Sequence, residues 1–310
     1  MTLKVGIVVL NWNGGTQTEA CIESVRQQEY APKFIVLVDN DSSPAEREAL
    51  RRRYGGASDV QCCFLDENRG YAGGNNAGIR AALAGAADAV VIATQDVVFE
   101  PGALAELVAA AADSGIGVVG PKVIDKADRR TLSIGERAEV PLLCVPRRWL
   151  RYRREGPVPY DVGAVVGCAL LATRRCLQAV GDFDEGFFAY YEEVDLCLRA
   201  RRQGFKVVCT TRAVVRHDGM RGFAGGFTAL SAELKARNLL RLIRRWARPL
   251  DYLLLVPTYV LLVATSMGLY ALRGRSDLVV AMLRGIAAGL QGREGKPGGD
   301  PVSLPPGEAT

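Results

Sequence analysis

Three carboxylates stand nearly side by side in Tyr-Tyr-Glu-Glu-Val-Asp-Leu-Cys-Leu-Arg-Ala-Arg-Arg-Gln-Gly, residues 190–204. Val194, Cys197, Leu198 and the stem of Arg201 recur at helical spacing, and Gly204 follows where a glycine ends a helix. Glu192, Glu193 and Asp195 therefore fall near the first turn of that helix. Acids there can simply complement the helix dipole. These, however, follow Phe187, Phe188, Tyr190 and Tyr191, with a bend expected at Gly186. A carboxylate against aromatic walls is partly desolvated and can accept a proton near neutral pH. The chemistry this suggests is base catalysis, although the segment alone names no reaction.

A second set of acids depends on the elements that precede them. Residues 4–10, 34–38, 61–65 and 89–93 are short apolar runs, the pattern of buried strands. Helical stretches separate them: one capped by Thr16, and one from Pro44 to about residue 54. Residues 68–78 read as a Gly/Asn loop running into a helix that ends at Ala86. Pro101 opens another helix, and residues 117–119 and 205–209 read as further strands. Strands alternating with helices imply an α/β fold with a doubly wound, mostly parallel sheet. Ligands of such sheets bind outside the carboxyl ends of the strands. Asp39, Asp41 and Asp96 all stand at strand carboxyl ends, which puts three acids on one rim. The Gly/Asn loop lacks the dinucleotide spacing. It offers instead a close backbone approach beside a helix N-terminus, which suits a diphosphate.

With 49% hydrophobic and 24% charged residues in a chain of 310, the bulk is globular with a substantial core. The eight cysteines show no zinc or redox spacing and sit mostly in apolar runs, as small buried hydrophobes of a reducing compartment. His217 is the single histidine, so chemistry needing a histidine pair is excluded. Residues 5–10 are too short for the apolar core of a signal peptide, and the catalytic part is expected to remain in the cytoplasm.

Five ordered motifs then resemble one family. They are Val-Val-Leu-Asn-Trp-Asn-Gly (8–14), Val-Asp-Asn-Asp-Ser-Ser (38–43), Asn-Arg-Gly-Tyr-Ala-Gly-Gly-Asn-Asn-Ala-Gly (68–78), Thr-Gln-Asp (94–96), and Gly-Asp-Phe-Asp-Glu-Gly-Phe-Phe (181–188) followed by Glu-Glu-Val-Asp-Leu (192–196). In this order they resemble the inverting nucleotide-sugar glycosyltransferases of family 2, with the GT-A fold, and most closely their rhamnosyltransferase-like members. The resemblance spans Val5 to about His217. It implies that Asp39, with Asn11 nearby and Asp41 in the same turn, holds the nucleobase and ribose, and that Asn68 and Asn76 line the nucleotide pocket. It implies that Asp96 binds a Mg or Mn divalent cation bridging the diphosphate, and that His217, in Val-Arg-His-Asp-Gly, completes the metal site. Glu193 stands where the family usually has Asp and would be the base that deprotonates the acceptor, with Glu192 and Asp195 supporting it. Thr94 replaces the first acid of the metal motif and removes one anionic ligand. The implied donor is a nucleoside diphosphate sugar, and the implied acceptor a lipid-linked or polysaccharide glycan of the cell envelope. Transfer of another sugar, such as galactofuranose or N-acetylglucosamine, is a rival reading. A non-catalytic nucleotide-sugar-binding scaffold is another, motivated by Thr94.

Residues 145–157 interleave arginines with Trp149 and Tyr152. No nucleic-acid-binding fold accompanies them; a solvated loop, or a flap meeting acidic headgroups or an acceptor diphosphate, is the expectation. Residues 232–248 form a basic amphipathic helix, and residues 253–272 carry no charge over a length that can cross a bilayer. Flanking basic residues favour attachment to the cytoplasmic face of a bacterial inner membrane. A buried helical hairpin or a membrane-surface segment is the competing reading, and a chain that stays soluble would use the run in a core or in the dimer interface of a homo-oligomer. The expected organisation is a GT-A domain over residues 1–230, a membrane-associating helical region over 231–290 and a disordered tail over 291–310.

Overall fold

Alternating strand and helix build the first half of the chain in the computed structural model, which describes residues 2–140, 143–144, 158–218 and 228–298. Strand β1 (Val5–Asn11), helix α1 (Thr16–Arg26), β2 (Lys33–Asp39), α2 (Pro44–Tyr54), β3 (Val60–Phe64), α3 (Gly70–Ala84) and β4 (Ala89–Thr94) follow in order. β1 runs parallel to β2 and β4, and β2 parallel to β3. All seven residues of β1 are buried, so its sequence has no polar alternation.

The second half departs from that pattern. It contains β5 (Val97–Phe99), α4 (Ala103–Ala110), β6 (Ile116–Asp125), β7 (Thr131–Ser133), β8 (Tyr160–Asp161), β9 (Ala169–Thr173), α5 (Arg174–Val180), α6 (Glu192–Arg202) and β10 (Lys206–His217). β9 inserts antiparallel between β4 and β6. β10 is parallel to β6 and antiparallel to β5. The strand order is β3-β2-β1-β4-β9-β6-β10-β5, with β7 on β6 and β8 on β10. The sheet is parallel through β3-β2-β1-β4 and again between β6 and β10, and the other strand pairs are antiparallel. One core lies on each face of the sheet, around Val8, Ile79 and Leu196 on one side and Ile7, Ile22 and Leu107 on the other.

Two local expectations are corrected. Thr16 is the first helical residue rather than the cap; Gly15 holds the cap position, and its N–H goes to Glu46 Oε1 at 2.9 Å. The Gly/Asn stretch is helix from Gly70 onward, not loop. Its glycines let α3 press on the sheet. A Cβ on Gly78 would stand 2.3 Å from Val8 Cγ1, and one on Gly74 2.5 Å from Leu10 Cδ1.

Three helices close the described chain: α7 (Ala229–Trp246), α8 (Tyr252–Leu272) and α9 (Ser276–Leu290). The domain boundary expected at residue 230 falls inside α7. That helix contributes Leu239, Leu242 and Ile243 to the core shared with Val8, so it is part of the catalytic domain's packing. α9 packs back on α7 through Leu278 and Ala281 against Ala232. The expected tail is also ordered further than its composition suggests. Gly295 N–H donates to Gly186 O at 2.8 Å; residues 299–310 lie outside the described residues. α8 stands apart, with Leu255 its one buried residue. The buried-hairpin reading of that run therefore does not hold. The arginine-rich stretch at 145–157 lies outside the described residues.

Candidate active site

The site is assembled at the carboxyl ends of β1, β2 and β4. Register sets Asn11 opposite Asp39 and Leu10 opposite Thr94. Asn11 Nδ2 donates to Asp39 Oδ1 at 2.9 Å and to Ser42 Oγ at 3.0 Å, while Asn11 Oδ1 accepts from Thr18 Oγ1 at 2.5 Å. Asp39 is fully buried, and its charge is met by Arg47 Nε at 3.4 Å. Arg47 also reaches Asp41, which is partly exposed at a left-handed φ of 66°, at 3.8 Å. Asn11, Asp39 and Asp41 are therefore one constellation, tied together by an arginine that the sequence reading missed. Arg47 looked like one charge among several on α2, and only its position facing the β2 end distinguishes it.

The next strand along supplies Asp96. Thr94 Oγ1 donates to Asp96 Oδ1 at 2.6 Å, and His217 Nε2 lies 3.1 Å from Asp96 Oδ2. Burial works to raise the Asp96 carboxyl, but the bond and charge of His217, with the Thr94 hydroxyl, hold it below its ordinary value. Gln95, between them, pairs with the Trp12 backbone at 2.6 and 3.2 Å and so locks the β1 turn to the β4 turn. It is a second residue that sequence reading passed over.

The acidic pair opens α6. Glu192 and Glu193 are buried in its first turn, at 3% and 6% exposure. Gly167 lies beside them: a Cβ placed there would be 3.2 Å from the Tyr71 hydroxyl and 3.7 Å from Glu193 Cβ. Burial, then the charges of Glu192 and Glu193, push the Tyr71 phenol well above its ordinary value. Cys168, which follows Gly167, is pushed up first by burial, next by Asp96 and also by Glu193. Thr94 N–H donates to Cys168 O at 3.0 Å, so residues 167 and 168 link the end of β4 to the start of α6.

Asp195 has a different task. It is fully buried, accepts from Arg199 Nε at 2.7 Å and from Trp246 Nε1 at 3.0 Å, and lies 3.3 Å from Arg245 Nε. It fastens α6 to α7. Asn68 and Asn76 are likewise engaged inside the fold. Asn68 Oδ1 accepts from Asn40 Nδ2 at 3.2 Å and from Gly70 N–H at 2.8 Å. Asn76, 1% exposed, exchanges hydrogen bonds with the Phe183 backbone at 2.8 and 2.9 Å and donates to Glu185 at 3.0 Å. The amide of Asn76 thus braces residues 183–185. The α3 N-terminus is also occupied, because Ala72 N–H donates to Phe188 O at 3.0 Å and Gly70 N–H to Asn68. Two of its amide donors are therefore unavailable to a diphosphate.

Among the described residues no group of three or more His, Cys, Asp and Glu side chains could hold a metal. Asp96 and His217 offer one carboxylate and one imidazole. The carboxylate fits a divalent cation whose remaining ligands are phosphate oxygens and water, since Mg²⁺ keeps several waters and carboxylate suits both Mg²⁺ and Mn²⁺.

Comparison with known proteins gives the chain a family and a fold. Residues 4–247 match the family described as "Glycosyltransferase like family 2". The N-acetylglucosaminyl-diphospho-decaprenol L-rhamnosyltransferase of Mycobacterium tuberculosis is 29% identical over 238 residues, covering 70% of this chain and 76% of that protein. The dTDP-rhamnosyl transferase RfbF of Shigella flexneri is 22% identical over 211 residues, 67% of this chain and 66% of the relative. Among solved structures, the mannosyltransferase PcManGT of Pyrobaculum calidifontis with GDP-Man and Mn²⁺ superposes with a TM-score of 0.60 at 17% identity, covering 95% of this chain and 89% of that one. GalNAc-T7 with UDP, GalNAc and Mn²⁺ gives 0.61 at 18% identity, over 80% and 49%. The chain belongs to the glycosyltransferase like family 2 and is a glycosyltransferase of GT-A fold.

Proposed function

We propose that this enzyme transfers rhamnose from a nucleoside diphosphate sugar to a lipid-linked glycan of the cell envelope, inverting the anomeric carbon. The relatives named for rhamnosyl transfer, one of them to a polyprenyl-linked acceptor, support donor and acceptor. Asn11, Asp39 and Asp41, with Asn68 behind them, serve the nucleoside. Asp96 and His217 hold the divalent cation. When bound, it neutralises charge on the departing diphosphate. Glu193 takes the proton of the acceptor hydroxyl as that oxygen attacks the anomeric carbon from the face opposite the diphosphate. Burial keeps water from competing for the Glu193 carboxylate, and Asp195 anchors the helix that carries it. The observation that carries the reading is that residues 167 and 168 bridge the two groups: Cys168 O accepts from the Thr94 N–H at 3.0 Å, and a Cβ on Gly167 would stand 3.7 Å from Glu193 Cβ, and the cation site and the base must face one substrate.

The same proposal places the enzyme at a membrane. α8 has 21 residues, no charge and almost no buried surface, and the helix over Pro249–Leu272 is long and apolar enough to cross a bilayer. A membrane-held enzyme meets a lipid-linked acceptor at high effective concentration.

The test is release of dTDP from dTDP-rhamnose on addition of N-acetylglucosaminyl-diphospho-polyprenol with Mg²⁺ or Mn²⁺, with the product's anomeric configuration read by NMR. Turnover with inversion is expected. Turnover only with a galactofuranose or N-acetylglucosamine donor would overturn the choice of sugar.

A further inference from the structure

The backbone that delivers Glu192 and Glu193 is held in an unfavourable shape. Phe188, Tyr190 and Tyr191 have φ of 62°, 73° and 75°, a region that side-chain-bearing residues seldom occupy. Three such residues within four positions persist only if their surroundings over-determine them. Besides the Ala72 N–H on Phe188 O, the hold comes from two adjacent side chains of α7. Asn238, with no exposed surface, donates Nδ2 to the carbonyls of Phe187 and Ala189, each at 2.8 Å, and of Tyr190 at 3.0 Å. Arg237, 2% exposed, donates to Phe187 O at 3.0 Å. Its Nε donates to Asn238 Oδ1 at 2.9 Å. Because a guanidinium can only donate, that bond fixes which end of the Asn238 amide faces the turn. A second arm of Arg237 reaches Gly295 O at 2.6 Å. Helix α7 thus grips three carbonyls of a turn whose next residues are the acidic pair.

We infer that Arg237 and Asn238 are positioning residues for sugar transfer: they hold residues 187–191 in the strained turn that aims Glu193 at the reacting centre. This rests on Glu193 acting as the base. A buried polar pair is not needed for stability alone, since apolar packing of similar volume does that as well or better. What it adds is a set of directional bonds to carbonyls that would otherwise relax. Glu193 sits two residues beyond the last left-handed position, so relaxation of the turn rotates the start of α6 and moves the carboxylate away from the acceptor oxygen.

The test uses the full chain and the donor and acceptor pair of the assay above, with rates expressed per site that binds dTDP. Asn238→Ala and Arg237→Lys are expected to lower kcat about 100-fold, the scale of an ångström-sized misplacement. Donor KM should stay within about threefold, because the nucleoside residues are untouched. In a Glu193→Gln background, Asn238→Ala should lower the residual rate by less than about threefold, since a lost base cannot be mispositioned. Equal losses in both backgrounds, or a near-normal kcat for the single variants, overturn the positioning role and leave the base assignment standing. A Glu193→Gln enzyme that keeps its kcat overturns the base assignment and this inference with it. Should Asn238→Ala yield no dTDP-binding protein, Arg237→Lys carries the same comparison.

Discussion

His217 Nε2 lies 3.1 Å from Asp96 Oδ2, because β10 pairs antiparallel with β5 and sets His217 opposite Val97. Thr94 approaches the other carboxylate oxygen. One carboxylate is thereby oriented from two sides before any ligand arrives. We expect Asp96→Asn to abolish the Mn²⁺-dependent part of dTDP binding, and Thr94→Ala to weaken it about tenfold, the scale of losing a hydrogen bond to a ligating carboxylate. Calorimetric titration of dTDP with Mn²⁺ and again after chelation reads both. Identical affinity in the two conditions would remove the cation from the proposal.

Glu193 and Asp195 share one helical turn but make opposite predictions. Glu193→Gln should lower kcat by about 1,000-fold, within the range for a general base, while dTDP binding and thermal midpoint stay near wild type. Asp195→Ala should instead destabilise by about 3 kcal/mol, because it leaves Arg199 and the Trp246 N–H without their buried acceptor. Urea melts and initial rates on both variants decide the matter; a stable but inactive Asp195→Ala would reverse the roles.

The acidic pair and the strand-end acids stand out in the sequence because each is tied to a local pattern: an apolar run ending in Asp, or acids at a helix start after aromatics; His217 is singled out only by the family resemblance. What stayed hidden depends on tertiary approach. The Gly/Asn stretch read as loop because glycine weakens a helix by about 1 kcal/mol. Here Val8, Leu10 and Val38 lie so close that only glycine fits, and packing overrides propensity. Asn238 and Arg237 fall in a helix whose sequence reads as basic and amphipathic, so nothing local marks them as buried. The antiparallel insertion of β9 is equally invisible, since Ala169–Thr173 is an apolar run like the parallel strands.

Gly78→Ala tests that packing claim directly. Ala would gain up to about 1 kcal/mol of helix propensity. Its Cβ, however, would stand 2.3 Å from Val8 Cγ1 and 3.0 Å from Val38 Cγ2. Both neighbours are β-branched side chains on buried strands with little freedom to move, and overpacking costs about 1–3 kcal/mol. The clash should win, and denaturant unfolding should show a net loss of stability; a more stable Gly78→Ala would mean that α3 sits further from the sheet.

Asp184 gives a pH dependence. Burial opposes its charge, but Arg241 at 2.9 Å, the Gly186 N–H and Arg245 at 2.6 Å hold its carboxyl below the ordinary 3.8. A depressed carboxylate stabilises the fold fully above the unfolded-state value and loses that contribution as pH falls through the folded-state value. Asp184→Asn should therefore cost about 2 kcal/mol at pH 7, the scale of hydrogen bonds to a charged group. The gap between variant and wild type should narrow as pH drops below 3.8. A gap that is the same at pH 7 and pH 3 would show that shape, not charge, holds α7 against residues 181–188.

The C-terminal helices set the last prediction. α8 exposes Leu253 at 78% and Leu261 at 63%; it meets the rest of the fold through residues such as Leu255 and Tyr270 and leaves most of its apolar surface bare. An apolar helix left bare by its own fold marks an interface. If that interface is a bilayer, the full chain should sediment with membranes and require detergent for release. Truncation near residue 231 would be a poor test, because it removes Asn238, Arg237 and Trp246, which brace the acidic pair. Charged replacements on the bare face are the better one. Leu253→Glu, Val260→Glu and Leu261→Glu together touch no buried position, so dTDP binding should persist while the protein moves to the soluble fraction. Each charge placed in a bilayer costs roughly 2.5–3.5 kcal/mol, so three should suffice to release it. If the unaltered chain is already soluble without detergent and elutes as a dimer that the three substitutions dissociate, α8 is a subunit contact and the membrane has no part in holding this enzyme.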